Sequence, residues 1–210
     1  MSFRYALAKY TTHPERYPDT VLYYDEQVSI IYDAFPKSCV HLLILPRDAE
    51  FTKMTPIEAF EDAKRRESMN DAINRATELV RDKFHKKWRR KSSNCDDDDD
   101  DDDDNDDEVS ILVCCHAVPS LSNLHIHVMT TDFHSSRLKN KKHFNSFATS
   151  FAIKFEEFPL QKEDLRRDSR YAESLLKKNM EWMGESYGGS FKKLKSDIDA
   201  EFTKKWVARV

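Results

Sequence analysis

Paired cysteines are missing from this 210-residue chain, and so are a leader segment and any long apolar run. The four cysteines, Cys39, Cys95, Cys114 and Cys115, form no CxxC pair, which argues against a disulfide scaffold and indicates a reducing compartment. No basic segment followed by an apolar one opens the chain, so we do not expect secretion. The longest apolar run, around residues 111–115, is far too short to span a bilayer, and we expect no membrane contact.

Acidic residues are unevenly distributed along the chain. The formal net charge is only −4, with 38 acidic and 34 basic residues, but residues 96–108 hold 12 of the acids. Without that run, 34 basic residues face 26 acidic ones, a balance of +8. Such an excess suits a polyanionic partner, although ordinary solvated surface is an alternative. Because the acidic run repels itself and has nothing apolar to bury, we expect a disordered insert at about residues 92–108.

Hydrophobic patterning predicts one mixed domain over residues 1–160. It indicates a short N-terminal helix, a hairpin over residues 21–33, and strands over residues 40–47, 109–115 and 123–129. Thr55, Pro56 and Glu58 combine an N-cap, a first-turn proline and a capping-box glutamate, which predicts the start of a helix. An apolar stripe at helical spacing extends this helix to the basic stretch "KKWRRK", residues 86–91.

The last 50 residues differ from the rest of the chain. Residues 162–183 and 190–210 read as charged helices, separated by the clustered glycines Gly188 and Gly189. We therefore expect a small helical C-terminal region over residues 161–210.

Two histidines stand on one face of the last predicted strand. Side chains alternate across a strand, so Asn123, His125 and His127 share a face, which we expect to point outward from the apolar core. Histidines at i and i+2 are consistent with half of a metal site, with a structural pair or with catalysts. A metal site would need His116 or Asp132 as a third ligand, and no HExxH or CxxC arrangement supports it.

A neutral imidazole is a good nucleophile toward phosphorus. Water readily attacks the resulting adduct, so one difficult displacement becomes two easier ones. A backbone carbonyl on one ring nitrogen would fix the tautomer. Positive groups and N–H donors must then stabilise the charge on the phosphoryl oxygens, and His127, Ser120 and the amides of "PSLSN" are candidates for this part.

The segment "HAVPSLSNLHIHVMTTDFHSSRLKNKKHFNSF", residues 116–147, resembles the histidine-triad motif and following segment of the aprataxin family. These enzymes remove AMP from abortively adenylated 5′ ends of DNA. The triad pattern alone would indicate only a nucleotide hydrolase or transferase, whereas "SxxLKNKKHxNSF" is characteristic of aprataxins. The resemblance extends upstream through "DAFPKSCVHLLILP", residues 33–46, and covers most of residues 1–160. Its spacing is similar to that of fungal members rather than multidomain animal ones.

The resemblance assigns catalytic roles to three histidines. His125 matches the middle histidine of the triad, the nucleophile that becomes linked to AMP. His127 matches the last triad histidine, a phosphate contact. His116 matches the additional histidine that assists departure of the DNA 5′-phosphate. The first triad position is Asn123, and we regard this change as mild because that position serves in orientation and an amide also forms hydrogen bonds.

The resemblance also implies a binding surface for nucleotide and DNA. Asp33 matches the acid that binds the AMP ribose hydroxyls, and Lys37 the neighbouring lysine of the nucleotide and DNA site. Aromatic platforms for the bases are expected from Phe35 and Tyr5, with ordinary core aromatics as an equal alternative. The positions that match DNA phosphate contacts are Ser120, Lys139, His143 and Ser146.

The C-terminal region departs from the family. Family members end in a zinc finger, whose CxxC pair corresponds here to Met180 and Met183 and whose histidine corresponds to Asp197, so that only Glu201 could remain as a ligand. Thioethers and one carboxylate cannot make a closed zinc site. We therefore expect no cofactor and a metal-free remnant of the finger, whose basic faces could contact DNA.

The resemblance implies an α+β histidine-triad (HIT-like) domain, an antiparallel sheet with packed helices, plus the small helical C-terminal extension. It implies a monomer that hydrolyses adenylated DNA 5′ ends to AMP and 5′-phosphate DNA without a metal. The DNA substrate suggests the nucleus, with the cytoplasm as a second compartment, and "KKWRRK" could serve as an import signal. Two alternatives stay open: a general histidine-triad hydrolase of dinucleoside polyphosphates or AMP-amidates, and a non-catalytic protein that binds DNA ends.

Overall fold

The structure is a computed structural model that describes residues 3–91 and 109–209. The strands of these residues are β1 (Val21–Tyr24), β2 (Val28–Tyr32), β3 (His41–Pro46), β4 (Trp88–Arg90), β5 (Ile111–His116), β6 (Ile126–Thr130), β7 (Ala152–Lys154), β8 (Met180–Trp182), β9 (Glu185–Gly188) and β10 (Trp206–Ala208). Six of them form one antiparallel sheet in the order β1-β2-β3-β6-β5-β7. The predicted α+β fold with an antiparallel sheet is confirmed.

Seven α-helices surround the sheet in the described part of the chain: α1 (Ala8–Thr12), α2 (Pro56–Ala59), α3 (Ala63–Ser68), α4 (Asn70–Lys87), α5 (Lys141–Ala148), α6 (Ser169–Leu175) and α7 (Phe191–Lys205). Short 3-10 helices cover Phe3–Tyr5, Pro14–Arg16, Phe51–Lys53, Phe155–Glu157 and Leu165–Arg167.

The helix that the capping box predicts is broken into three. Thr55 and Glu58 do form a capping box at the start of α2, but that helix ends at Ala59. Asp62 then caps α3, because its carboxylate accepts a hydrogen bond from the backbone N–H of Arg65. The prediction of one continuous helix is wrong, since a side chain that can cap also starts a new helix.

The sheet has two differently covered faces. Alternate residues of β3 and β6, among them Leu42, Ile44, Ile126 and Val128, pack with the buried stripe of α4 in the largest core cluster. The residues between them point to the opposite face, which α5 and the C-terminal region cover on one side and the N-terminal segment on the other. The histidines lie between these two covers.

The C-terminal region is less helical than its charge pattern indicates. The predicted helix over residues 162–183 is wrong, because α6 ends at Leu175 and the strands β8 and β9 form a hairpin. Met183 and Gly184 turn this hairpin with φ of 50° and 80°, a left-handed backbone that ends any helix. Helix α7 is confirmed, although it ends at Lys205, after which β10 pairs with β4.

The stretch "KKWRRK" is likewise only partly helical. Helix α4 ends at Lys87, and residues 88–90 continue as β4. No helix in the described ranges is both long and apolar enough to cross a membrane. The predicted acidic insert at residues 92–108 lies outside the described residues, and the proposed division at residue 160 stays a prediction.

Candidate active site

Four imidazoles meet on one face of the central sheet. His125 and His127 belong to the segment of β6, His116 ends β5 and His41 begins β3. The ring centroid of His127 lies 4.5 Å from that of His116, 4.9 Å from that of His125 and 5.1 Å from that of His41. The structure therefore places His127 at the centre of the cluster.

The histidine face does not point into solvent. His125 is 5% exposed and His127 is 4% exposed, so the prediction of outward-pointing imidazoles is wrong. The physical reason is that Phe147 of α5 covers this face, with its ring centroid 5.0 Å from that of His127 and 4.7 Å from that of His116. Phe147 therefore shields the imidazoles from solvent.

The His125 ring has one defined tautomer. Its Nδ1 lies 2.7 Å from the backbone oxygen of Asn123, and a carbonyl can only accept, so Nδ1 carries the proton. Burial lowers the pKa of His125, although this hydrogen bond and the charge of Asp33 oppose the effect. The ring is therefore neutral at neutral pH, with its lone pair on Nε2, the form that a nucleophile requires.

A chain of hydrogen bonds fixes the tautomers of His41 and His127. The backbone N–H of Lys37 donates to Nδ1 of His41 over 3.2 Å, so a neutral His41 carries its proton on Nε2. That nitrogen lies 2.9 Å from Nδ1 of His127, which must then accept. It follows that the His127 proton is on Nε2.

Burial keeps both rings neutral. It lowers the pKa of His41 to about 4, although the charge of Asp33 opposes the shift. Burial also lowers the pKa of His127 well below its ordinary value, and the neighbouring His116 adds to the effect. Each ring therefore keeps one donor and one acceptor at neutral pH.

Two imidazole nitrogens of the cluster have no hydrogen-bond partner among the described residues. They are Nε2 of His127 and Nε2 of His116, and both are inaccessible to solvent. Burial lowers the pKa of His116 to about 3, although a hydrogen bond with the backbone of Ser146 raises it in part. Buried polar atoms are nearly always paired, so two orphans side by side indicate a polar ligand.

The loop between β2 and β3 supplies the rim of the site. Asp33 accepts a hydrogen bond from the backbone N–H of Phe35 at 2.7 Å, and its Oδ2 lies 3.5 Å from Nε2 of His41. Lys37 is buried, which lowers its pKa, and its Nζ donates to the backbone oxygen of Phe35. A carboxylate and an ammonium group thus stand next to the imidazoles, as the resemblance implies.

Phe35 is an exposed aromatic at this rim. It is 55% exposed, and its ring centroid lies 5.9 Å from Nζ of Lys37 and 5.9 Å from Cζ of Arg137. Tyr5 is also exposed, at 54%. Neither is a core aromatic, so their availability for stacking is supported and the alternative of ordinary core residues is wrong.

Helix α5 brings the phosphate candidates of the downstream motif to the cluster. Nδ1 of His143 accepts from the backbone N–H of Lys139 at 3.2 Å, and the hydroxyl of Ser146 donates to the backbone oxygen of His143 at 3.0 Å. Burial lowers the pKa of His143, and the nearby charge of Lys37 lowers it further. Helix α5 therefore approaches Lys37 at the rim of the site through His143. It approaches His116 in the histidine cluster through the backbone of Ser146.

Ser120 and Asn123 both precede β6 in the chain. Ser120 is exposed, and no contact joins it to the histidines within the described ranges. The side-chain amide nitrogen of Asn123 donates to Oγ1 of Thr52 at 3.2 Å, and the backbone oxygen of Asn123 accepts from Nδ1 of His125. The predicted role of Asn123 in orientation stays a prediction.

Sequence reasoning missed three contributors to the site. His41 and Phe147 contact His127, and Arg137 lies over the ring of Phe35 at the rim; the motif covers all three but does not show these contacts. A histidine at the first position of an otherwise apolar buried strand, as in "HLLILP", is the signal that could have identified His41.

Among residues 3–91 and 109–209, one group could hold a metal ion, and it differs from the predicted set. Ligand atoms of Asp33, His41 and His127 lie within 4.8 Å of one another, but the hydrogen bonds of the tautomer chain already account for their closeness. Asp132 is engaged elsewhere, since its carboxylate accepts from the backbone N–H groups of Cys39 and His134 at 3.0 and 2.7 Å.

The residues at the zinc-finger positions lie in packed or exposed surroundings without a set of zinc ligands. Met180 is fully buried in the cluster that covers the histidine face, whereas Met183 is exposed at the hairpin turn. The hydroxyl of Tyr187 donates to Oε2 of Glu185 at 3.5 Å, and burial together with the neighbouring carboxylate of Asp197 raises the pKa of Tyr187 to about 12. These donors do not fit zinc, because two thioethers and a single carboxylate cannot make a closed zinc site.

Cavity size does not identify the site. A cavity of about 600 Å³ lies between α3, α4 and β5, and another of about 400 Å³ lies between β1 and the start of α4. Neither is lined by a histidine. The chemistry of the side chains, rather than a deep pocket, distinguishes the triad cleft.

The sequence of this chain is similar to those of known proteins. The model of the HIT domain matches residues 15–134. An aprataxin-like protein of Saccharomyces cerevisiae is 41% identical over 96% of this chain and 97% of its own length. An aprataxin-like protein of Schizosaccharomyces pombe is 32% identical over 96% of this chain and 82% of its length.

Solved structures agree with these matches. A crystal structure of the aprataxin ortholog Hnt3 in complex with DNA superposes with a TM-score of 0.75 at 28% identity, covering 96% of both chains. Hnt3 in complex with DNA and guanosine gives a TM-score of 0.76 at 30% identity, again over 96% of both chains.

Proposed function

The chain belongs to the aprataxin family of histidine-triad proteins, and from that membership we propose that it is a DNA-repair hydrolase that removes AMP from adenylated 5′ ends. The products are AMP and DNA with a 5′-phosphate that a ligase can use. The observation that carries the proposal is the 2.7 Å hydrogen bond between Nδ1 of His125 and the backbone oxygen of Asn123. It leaves Nε2 of a neutral imidazole as the nucleophile.

The reaction has two displacements at one phosphorus. Nε2 of His125 attacks the phosphorus of AMP, so that a nitrogen–phosphorus bond forms and the bond from that phosphorus to the bridging oxygen breaks. The electron pair leaves with the 5′-phosphate of the DNA. Water then attacks the same phosphorus, the nitrogen–phosphorus bond breaks, and AMP is released with His125 restored.

The neighbouring imidazoles stabilise the charge that develops. The Nε2–H group of His127 is a buried donor without a partner among the described residues, and it donates to a phosphoryl oxygen. Lys37 adds a positive charge at the rim. Donors that are fixed in place before the reaction need no reorganisation during it, which is the main source of such stabilisation.

His116 serves the leaving phosphate. It is neutral in the free protein, because burial lowers its pKa to about 3. A phosphate placed against its unpaired Nε2 favours the protonated ring, because an opposite charge raises the pKa of an imidazole. The protonated ring then supports the departing oxygen.

Nucleic acid reaches the cleft along α5 and the rim. Asp33 binds the ribose hydroxyls of AMP, whereas Phe35 and Tyr5 provide exposed aromatic surfaces for stacking. The DNA phosphates are bound by the side chains of Ser120, Lys139, His143 and Ser146. The Hnt3 complexes support the binding of DNA, since those DNA-bound proteins match the chain along almost its whole length.

The chemistry proposed here uses no cofactor, and the protein acts as a monomer. No step depends on a metal, and the residues at the zinc-finger positions do not fit one. A DNA substrate makes the nucleus the compartment of action, with the cytoplasm as a second one.

The test is release of AMP from a nicked duplex that carries an adenylated 5′ end. With a label in the AMP phosphate, wild-type protein yields labelled AMP and, after rapid denaturation, labelled protein; His125→Ala yields neither. Protein that binds this duplex and leaves it intact would establish the non-catalytic binder instead. Equal activity on an AMP-amidate with and without duplex would establish the general nucleotide hydrolase.

A further inference from the structure

Two short strands outside the main sheet form a basic ribbon, which consists of residues 87–91 and 205–209. Strand β4 pairs antiparallel with β10, so that Arg89 faces Val207 and Trp88 faces Ala208. Two backbone hydrogen bonds of 2.9 Å extend the ladder, from Lys91 to Lys205 and from Arg209 to Lys87. The ribbon thus joins the ends of α4 and α7.

The two faces of the basic ribbon differ in chemistry. Trp88 and Trp206 point inward, with ring centroids 4.8 Å from those of Phe202 and Phe84. Alternation places Arg90 and Ala208 on the face of the tryptophans and turns Arg89 and Val207 outward. Around Val207, the outer face presents Lys87, Arg89, Lys91, Lys205 and Arg209, all exposed.

This clustering opposes the stability of the ribbon. Like charges that face one another across strands repel, and none of the outward-facing positions carries an acid to relieve the repulsion. Lys205 has an acidic partner, Glu201 at 3.0 Å. A bound polyanion would offset the repulsion, because each neutralised phosphate also releases counterions.

The basic ribbon packs against the segment that follows β6. His134 follows β6 by a few residues, and its ring stacks on Phe202 at 4.1 Å, with the Trp88 centroid 6.1 Å away. Lys87 is close enough to Cys39 to oppose the rise that burial causes in the thiol pKa. Cys39 is two residues from Lys37, and the carboxylate of Asp132 accepts a hydrogen bond from the backbone N–H of Cys39 at 3.0 Å.

We propose that the outer face of the basic ribbon binds the phosphate backbone of duplex DNA at a distance from the adenylated end. The inference rests on the proposed function, which supplies the DNA. Residues two apart on a strand are separated by about 6.6 Å, so side chains of the two strands reach successive phosphates along a groove. An anionic membrane fits less well, because Val207 is the only apolar side chain that this face could insert.

The test compares two charge-matched variants of the full chain. Arg89→Gln/Lys91→Gln removes two cations from the ribbon, and Lys64→Gln/Arg170→Gln removes two exposed cations from α3 and α6. Binding of a nicked duplex without adenylate is measured by fluorescence anisotropy over a range of salt, with short and with long arms beside the nick. We expect the ribbon variant to lose several-fold affinity, most of it for the long arms.

The salt dependence gives the second readout. Loss of two phosphate contacts reduces the slope of log K against log salt by about 1.8, and the α3/α6 variant should keep the wild-type slope. Hydrolysis of AMP-lysine, which has no duplex, should proceed at the wild-type rate in both variants. Equal slopes and affinities for the two variants would overturn the inference, as would ribbon-dependent binding to phosphatidylserine vesicles with unchanged binding to DNA.

Failure of the two proposals can be told apart. If the wild-type protein releases AMP from adenylated duplex and the ribbon variant binds DNA like the α3/α6 variant, the ribbon inference fails alone. If wild-type protein releases no AMP while the ribbon variant still loses DNA affinity, the activity fails and the ribbon inference stands.

Discussion

Nε2 of His41 lies 2.9 Å from Nδ1 of His127, and this contact sets which nitrogen of the His127 imidazole carries the proton. The backbone N–H of Lys37 fixes His41 in turn. A buried relay of this kind lets one backbone amide determine the donor offered to a phosphoryl oxygen. His41 is therefore a positioning residue, which acts on the reaction through His127.

Replacement of His41 by alanine should reduce kcat roughly 10- to 100-fold, the range found for groups that orient another ligand. KM for adenylated duplex should change little, because His41 is buried beneath the cleft. Imidazole ¹⁵N spectra of the wild-type protein should show the His127 proton on Nε2. A His127 ring that keeps this single tautomer in His41→Ala would contradict the relay.

Replacement of His125 by alanine should abolish AMP release, by roughly 10⁴-fold or more. The loss comes from the missing nitrogen nucleophile, so affinity for duplex should stay within a few-fold of wild type. Circular dichroism checks that the fold is retained, because the imidazole is buried and its removal leaves a cavity. A folded His125→Ala protein with near-normal turnover would exclude His125 as the nucleophile.

The sequence predicts the central strands of the sheet well, because strands depend on local patterns. Alternation in β6 and the apolar run of β3 were sufficient to place the strands. The orientation of the face was mispredicted, since the side chain that covers it, Phe147, comes from a helix 20 residues further along the chain. His41 was missed for the same reason, because its partner His127 is 86 positions away.

The C-terminal region shows a second limit. The charge pattern of residues 162–183 fits a helix, and the single glycine at 184 gives little warning of a hairpin. The segment between α6 and that hairpin is fixed from outside, since the buried amide of Asn145 donates to the backbone oxygens of Leu176 and Lys178 at 3.2 and 2.8 Å. Tertiary contacts of this kind override helix propensity.

Stability should depend on pH because the buried imidazoles are neutral in the folded state. Their pKa values are lowered, to about 4 for His41 and about 3 for His116, whereas in the unfolded chain they bind protons below about pH 6.5. The unfolded chain then holds more protons, so the free energy of unfolding falls as pH decreases from about 6.5 towards 4. Each such imidazole contributes up to about 1.4 kcal/mol per pH unit.

Urea unfolding between pH 5 and 8 measures this dependence. Stability should be nearly flat above pH 7, and His116→Gln should reduce the slope below pH 6.5 by one imidazole. His13, which is exposed beside Glu15, provides the control, since His13→Gln should leave the slope unchanged. A wild-type slope near zero from pH 5 to 6.5 would contradict neutral burial of the cluster.

Zinc should be absent from the purified protein. Met180 is buried and Met183 is exposed at the hairpin turn, so these two thioethers and the carboxylate of Asp197 do not form a zinc site. Metal analysis should find no stoichiometric zinc, and a chelator should leave both the melting temperature and AMP release unchanged. One firmly bound zinc ion per chain would contradict the account of the C-terminal region.

The acidic run should weaken DNA binding through its charge alone. Replacement of the 12 acids in residues 96–108 by serine or asparagine changes the formal net charge of the chain from −4 to +8. Association with a polyanion then becomes faster at low salt, because long-range repulsion is replaced by attraction. The gain should disappear as salt increases and the Debye length falls to about 8 Å at 0.15 M.

Stopped-flow association rates with labelled duplex measure the effect, and a scrambled run with the same 12 acids is the control. Rates that match wild type at every salt concentration would show that the run has no electrostatic influence on the DNA-binding face.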